Sequence, residues 1–257
     1  MKKTILFCSY RDWANKIYQS LKDKYSNDID FVYVDKSQKD KIGELAEQWG
    51  AKTIFFVGWS WIVDKKIVKK YDCVCLHPSP LPKYRGGSPI QHQIISGEKE
   101  SAVTLFKMDG GVDTGDILYQ KEISLDGELD NIFDRITSEG ILGFERVVNE
   151  ISLGNDLLGF PQDETQATTF KRRTPEESQI TMSDLRKEDA EYVYNKIRAL
   201  QYPYPNAFIE FQDGSKLYIK KSSFSKGKLD GHRTTVGRNK KSTPKKGKAR
   251  ATSKLTS

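Results

Sequence analysis

Cysteine and histidine are both scarce, three of each in 257 residues, and the scarcity is informative. Cys8, Cys73 and Cys75 cannot all pair, and alternation puts Cys73 and Cys75 on one face of a single expected strand. They read as reduced, buried thiols of a cytoplasmic protein. Long apolar runs are absent too. Thr53–Val57 is strand-sized, far below the ~20 residues a bilayer crossing needs, so no membrane partner is expected. No secretory signal is expected, because Met1-Lys2-Lys3 leads into only a handful of apolar residues before Ser9-Tyr10-Arg11-Asp12. Ser9-Tyr10-Arg11 is neither a glycine-rich phosphate cradle nor a dinucleotide fingerprint, which excludes NAD chemistry. No metal is expected.

The charge is unevenly placed. Residues 225–257 carry eleven Lys and Arg against one acid, Asp230, whereas the remaining chain holds 31 basic and 34 acidic residues, net −3. The tail has almost no apolar residues and reads as a disordered basic segment. It is either a polyanion-binding arm or a solvated end.

The first half alternates strand and helix signals. Thr4–Cys8, Phe31–Val34, Thr53–Val57 and Cys73–Leu76 read as strands. Trp13, Ile17 and Leu21, then Ile42, Leu45, Ala46 and Trp49, mark the helices between them. Gly50 reads as a helix stop and Asp64 as an N-cap. Such alternation implies a parallel sheet covered on both faces, with its site at the carboxyl ends of the strands. Four prolines fall within Pro78–Pro89, predicting a stiff extended loop, and Ser88-Pro89 predicts a capped helix start. Ala102–Phe106 and Ile117–Ile123 read as further strands joined by the glycine-rich loop Met108–Asp116, and 131–153 as a long helix. From about Lys171 a smaller unit begins, with a helix over Asp189–Leu200 and a hairpin around Asp213-Gly214. The expected division is 1–160, 171–224 and 225–257.

Of the histidines, His232 is in the tail and His92 within a helix, which leaves His77 at the end of the fourth strand. Asp113 and Asp116 lie between the closely spaced glycines of the second loop. Composition alone reads them as turn formers that bind backbone. A histidine with a carboxylate partner is also the smallest apparatus for taking a proton from an amine.

Leu76-His77-Pro78-Ser79-Pro80-Leu81-Pro82-Lys83-Tyr84-Arg85-Gly86-Gly87, followed by Asp113-Thr114-Gly115-Asp116-Ile117-Leu118, resembles the 10-formyltetrahydrofolate-dependent formyltransferases. The similarity covers about residues 1–224. It implies a Rossmann-like formyltransferase sheet (α/β) with flanking helices, plus a small C-terminal α+β subdomain. It also implies 10-formyltetrahydrofolate as cosubstrate. An amine would attack the formyl carbon, and an Asn and a His would stabilise the resulting oxyanion while an Asp orients the His. His77 and Asp113 match that pattern; the Asn position is Cys75, a weak donor. By the same resemblance Gly58, Trp59 and Ser60, with Met108, Asp109 and Gly110, hold the folate. Core packing is the alternative for Trp59 and Trp61. Tyr10, Arg11, Arg85, Gly86, Gly87 and Tyr202 are candidates for the acceptor side, Arg11 and Arg85 for a phosphate or the folate glutamate. Either arginine could instead make a surface ion pair.

The expected acceptor is the amino group of a nucleotide-linked amino sugar, because Arg172-Arg173-Thr174-Pro175 and the segment from Arg198 to Phe208 resemble the C-terminal part of nucleotide-sugar formyltransferases. Methionyl-tRNA is the alternative: a tRNA binder neutralises many phosphates, which the net −3 body disfavours and the tail favours. A third reading is a folate- or nucleotide-binding module that has lost turnover. A homodimer is compatible with all three.

Overall fold

In the computed structural model, which describes residues 2–226, the first apolar run forms β1 (Lys3–Cys8) and the spacing after it forms α1 (Asp12–Tyr25), which buries Ala14, Ile17 and Leu21. Then follow β2 (Ile29–Val34), a 3-10 segment over Lys36–Lys41, α2 (Ile42–Gln48), β3 (Thr53–Val57), α3 (Lys65–Lys70) and β4 (Asp72–His77). Gly50 takes φ +59 just past α2, and Asp64 accepts the Lys66 N–H at the start of α3. Both residues do what their types favour at helix ends.

These four strands are parallel, in the order β2-β1-β3-β4. Because β1 is followed on one side by β2 and on the other by β3, the sheet changes direction of winding at the carboxyl ends of β1 and β3. That is where a parallel sheet opens a crevice. β5 (Arg85–Gly86) and α4 (Pro89–Ile95) come next, then β6 (Glu100–Lys107) and β7 (Ile117–Ser124). The parallel expectation ends here: β6 is antiparallel to β4, and β7 to β6. The connection 108–116 is too short for the crossover that a parallel pair requires.

α1 and α5 (Leu129–Leu153) cover one face of the sheet over Phe7, Phe55, Leu76 and Phe144; α2 and α3 cover the other over Leu6, Ile54, Phe56 and Cys73. Burying each such side chain contributes roughly 1.5–3 kcal/mol, so the two faces hold the sheet rigid beneath its loops. α5 starts two residues earlier than the periodicity suggests, behind a capping box of Glu128 and Asn131.

Residues 161–173, of which sequence patterning left 161–170 between units, run back across the proline loop and supply β8 (Thr169–Phe170), parallel to β5. The proline loop is correspondingly turned rather than extended, held by Thr168 and Gly87 N–H bonds to Pro82 and Phe170 carbonyls. Gly86 sits here at φ +93, and a Cβ on it would collide with the Phe170 carbonyl. Ser88 does precede α4, but its hydroxyl does not cap the helix; it accepts the Arg173 N–H at 3.1 Å.

Beyond the strap come α6 (Met182–Lys187), α7 (Ala190–Ala199), β9 (Ala207–Glu210) and β10 (Lys216–Ile219). The sequence pattern did not reveal α6; it is one capped turn set by Thr181 and Asp184. Ile180, Ile197, Leu200 and Ala207 form a small core. Arg198, buried, donates to the Leu125 and Gly127 carbonyls and so ties α7 to the turn before α5. The chain up to Phe224 packs as one compact unit. Most of the basic tail, His232 included, lies outside the described residues. No helix among the described residues is long and apolar enough to cross a membrane.

Candidate active site

His77 is the last residue of β4 and only 6% exposed. Its Nε2 lies 2.8 Å from the Tyr84 carbonyl oxygen. A carbonyl only accepts, so Nε2 carries the ring hydrogen and Nδ1 is the atom left for chemistry. Nδ1 stands 3.5 Å from Asp113 Oδ2, whose other contact is the Gly86 N–H at 2.8 Å.

The register explains why this pairing needs a special loop. Thr104 lies opposite His77 and Lys107 opposite Val74, so β6 has already run past the histidine when the chain leaves the sheet. The 108–116 loop doubles back to reach it. Asp113 adopts φ +54, a left-handed conformation that Asp tolerates better than most residues. Gly115 is needed because a Cβ there would overlap the Lys107 carbonyl. Asp109, expected at the folate, accepts from Gly111 N–H (2.9 Å) and Thr114 Oγ1 (2.6 Å) and shapes the loop. Met108 packs beside Trp59 on the second core, and Gly110 is exposed.

His77 and Asp113 open onto a cleft of about 300 Å³, also lined by Cys75, Gly58, Trp59, Ser60, Gly86 and Gly87. Trp59 both packs on the core and walls the cleft, with edge contacts to Phe56 and Trp61. Tyr10 is hydrogen-bonded to Ser60 and joins the loops after β1 and β3. It lines a second, adjacent cleft together with Tyr202. Tyr202 is 71% exposed and bonds Asp12 at 3.2 Å; Tyr204 is the tyrosine that the structure brings to the His77 cleft.

The two arginines singled out in the sequence part company. Arg85 is buried, with its guanidinium held by Glu164 at 2.6 and 2.8 Å and by Gln162 at 2.8 and 3.1 Å. This bidentate pair occupies the donors that a phosphate would need, so Arg85 is a strut between loops. Arg11 lines the cleft, and its guanidinium stacks 4.6 Å over the Tyr10 ring without an ion pair or hydrogen bond among the described residues. Arg172 and Arg173, from the strap, line the opposite wall.

Two buried atoms on this lining have no partner: Gln91 Oε1 and Arg173 Nε. Each is a polar group that a bound water or a polar ligand in the cleft would satisfy. Neither Gln91 nor the strap glutamine Gln162 carried any sequence signal, since isolated glutamines are usually surface residues.

Cys75 lies two residues before His77 on the same strand face and lines the cleft. Burial pushes its thiol well above the ordinary range, and the Asp113 carboxylate adds to the shift. It is a neutral thiol at physiological pH, a poor nucleophile. Among the described residues no cluster of His, Cys, Asp and Glu could hold a metal ion.

The family model described as formyl transferase matches residues 5–145, more than half of the chain, and the model of the formyl transferase C-terminal domain matches 174–245. The chain belongs to the formyl transferase family. A curated relative, the methionyl-tRNA formyltransferase of Ehrlichia ruminantium (strain Welgevonden), is 35% identical over 200 residues, covering 75% of this chain and 61% of the relative. The chain spans about three fifths of the length of the curated relatives it matches. Among solved structures, a methionyl-tRNA formyltransferase from Clostridium thermocellum superposes with a TM-score of 0.75 at 30% identity, covering 88% of this chain and 95% of that one. A sugar N-formyltransferase from Shewanella sp. FDAARGOS_354 shares the fold, with a TM-score of 0.71 at 19% identity and 87% and 99% covered. The formyl transferase C-terminal match continues past the last described residue into the basic segment.

Proposed function

We propose that this formyl transferase family member is an enzyme that moves the formyl group of 10-formyltetrahydrofolate onto the amine of methionyl-tRNA. The observation that carries the reaction type is the His77 Nδ1–Asp113 Oδ2 pair facing a cleft with orphaned polar atoms. The choice of acceptor follows the curated relatives, and it replaces the amino sugar favoured by sequence reasoning.

The cleft suits the donor. Trp59 offers an aromatic wall and Gly58 and Ser60 a polar edge, beside the histidine. When bound, 10-formyltetrahydrofolate supplies the electrophilic formyl carbon. His77 Nδ1 accepts the proton that the attacking amine releases. That proton then lies against the Asp113 carboxylate, which is itself steadied by the Gly86 N–H, until the formyl C–N10 bond of the donor breaks and the proton passes to N10 of the departing tetrahydrofolate. General-base help of this kind is worth about 10²–10⁴-fold. Cys75 stands where the resemblance places an oxyanion donor, and a neutral S–H fills that role weakly. Arg11 and Arg172, whose guanidinium groups make no hydrogen bond or ion pair among the described residues, suit an acceptor phosphate at the cleft mouth.

A nucleotide-linked amino sugar is the second reading, favoured by one observation: outside residues 225–257 the chain is net −3, a poor surface for a polyanion. The deciding experiment is product mass after incubation with 10-formyltetrahydrofolate and either methionyl-tRNA or a panel of nucleotide amino sugars. A gain of one formyl group on methionyl-tRNA alone supports the proposal. Formylation of a sugar alone moves the protein to the second reading, and formylation of neither refutes both.

A further inference from the structure

Gln162 joins the two loops that carry His77 and Asp113, and nothing in the reaction scheme above accounts for it. Its Nε2 donates to the Asp113 carbonyl at 2.9 Å and to the Gly115 carbonyl at 2.7 Å. Its Oε1 accepts from Arg85 Nε at 3.1 Å and Nη2 at 2.8 Å. Arg85 is in turn clamped by the Glu164 carboxylate. One amide therefore uses both donors on the Asp113 loop and its acceptor on the His77 loop.

The loop it grips would not stay in place unaided. Asp113 has a left-handed backbone, a conformation that a non-glycine residue keeps where its surroundings hold it there. The Asp113 carboxylate is held by the N–H of Gly86, the residue next to Arg85. Side chain and main chain of Asp113 are thus both referenced to the 85–86 segment, directly and through Gln162.

We infer that Gln162 is a positioning residue for formyl transfer, setting the Asp113 carboxylate against His77 Nδ1, with Arg85–Glu164 as its anchor. The inference rests on the formyltransferase reading for its kinetic consequence but not for its geometry. Gln162 does not itself line the cleft or touch the reacting atoms, so its effect runs through Asp113, which it holds by the main chain.

Gln162→Met keeps length and removes the hydrogen bonds; Gln162→Glu keeps the acceptor for Arg85 and turns an oxygen toward two carbonyls. In single-turnover assays both are expected to lower the transfer rate by on the order of 10²-fold, the cost of an ångström-scale misplacement, with tetrahydrofolate Kd changed less than threefold. In an Asp113→Asn background, Gln162→Met should cost nothing further, because the residue through which it acts is already disabled. The same fold-loss in both backgrounds, or a raised KM at unchanged kcat, overturns the inference. A second readout is independent of turnover: the ¹⁵N shift of His77 Nδ1 should move in Gln162→Met, and an unmoved shift overturns the inference. A wild-type protein that transfers no formyl group refutes the formyltransferase reading, and the ¹⁵N measurement still decides the role of Gln162. If Gln162→Met does not fold, Gln162→Glu is read by the same measurements.

Discussion

Asp113 Oδ2 lies 3.5 Å from His77 Nδ1 even though the strand leading to Asp113 leaves the sheet beside Val74, three residues before the histidine. The meeting depends on a loop that doubles back and on a backbone held left-handed. Catalysis in this fold is therefore expected to be sensitive to residues that shape the loop as well as to the pair itself.

His77→Ala and Asp113→Asn should each lower formyl transfer by about 10²–10⁴-fold, the range of general-base assistance. Their circular dichroism spectra and melting temperatures should stay close to wild type for Asp113→Asn, which is partly exposed. Turnover at the wild-type rate in either variant would remove the pair from the mechanism.

Cys75 tests the oxyanion side. Cys75→Asn installs a neutral amide donor, and losing one such donor elsewhere costs roughly 2.7–4 kcal/mol; the gain here should be smaller, because Asn is larger than Cys. Transfer is expected to hold or rise in Cys75→Asn and to change little in Cys75→Ser. A formyl adduct on Cys75, seen by mass spectrometry with donor and no acceptor, would reverse this assignment.

The raised thiol range of Cys75 has a pH signature. Burial disfavours the thiolate, so iodoacetamide should label Cys75 far more slowly than a model thiol at pH 7.5 and speed up as pH rises. Peptide mapping over pH 7–10 reads it. Labelling as fast as free cysteine at pH 7.5 would contradict the structure.

Gly86→Ala should dislodge the strap. The new Cβ meets the Phe170 carbonyl at a φ of +93, a mechanism worth on the order of 1–3 kcal/mol. A lower melting temperature together with reduced transfer is expected. An unchanged melting temperature would mean the 161–173 strap is not seated as described.

Removing residues 225–257 separates the two acceptors. With methionyl-tRNA the eleven basic residues should neutralise phosphates, so truncation is expected to raise KM and flatten the dependence of log KM on log salt. With a nucleotide amino sugar as acceptor it should change neither. Tetrahydrofolate affinity should be the same in both chains.

Local pattern determined much of this protein. Strand and helix positions up to His77 follow from apolar periodicity, and Gly50 and Asp64 act at helix ends as their side-chain chemistry dictates. The linked motifs around His77 and Asp113 carry the family resemblance because both are contiguous in the chain. What depends on distant segments was decided only by the tertiary structure. The direction of β6, the role of Arg85 as a strut and the seat of Tyr204 rather than Tyr202 in the cleft all rest on partners distant in the chain: Thr104 for His77, Glu164 for Arg85 and His77 for Tyr204. Gln162 and Glu164 fall in a stretch with no periodicity, and their meaning lies wholly in reaching Arg85 and the Asp113 loop. Hydrogen bonds between loops leave no spacing in a sequence, because each partner is fixed by the sheet that brings the loops together rather than by its neighbours in the chain.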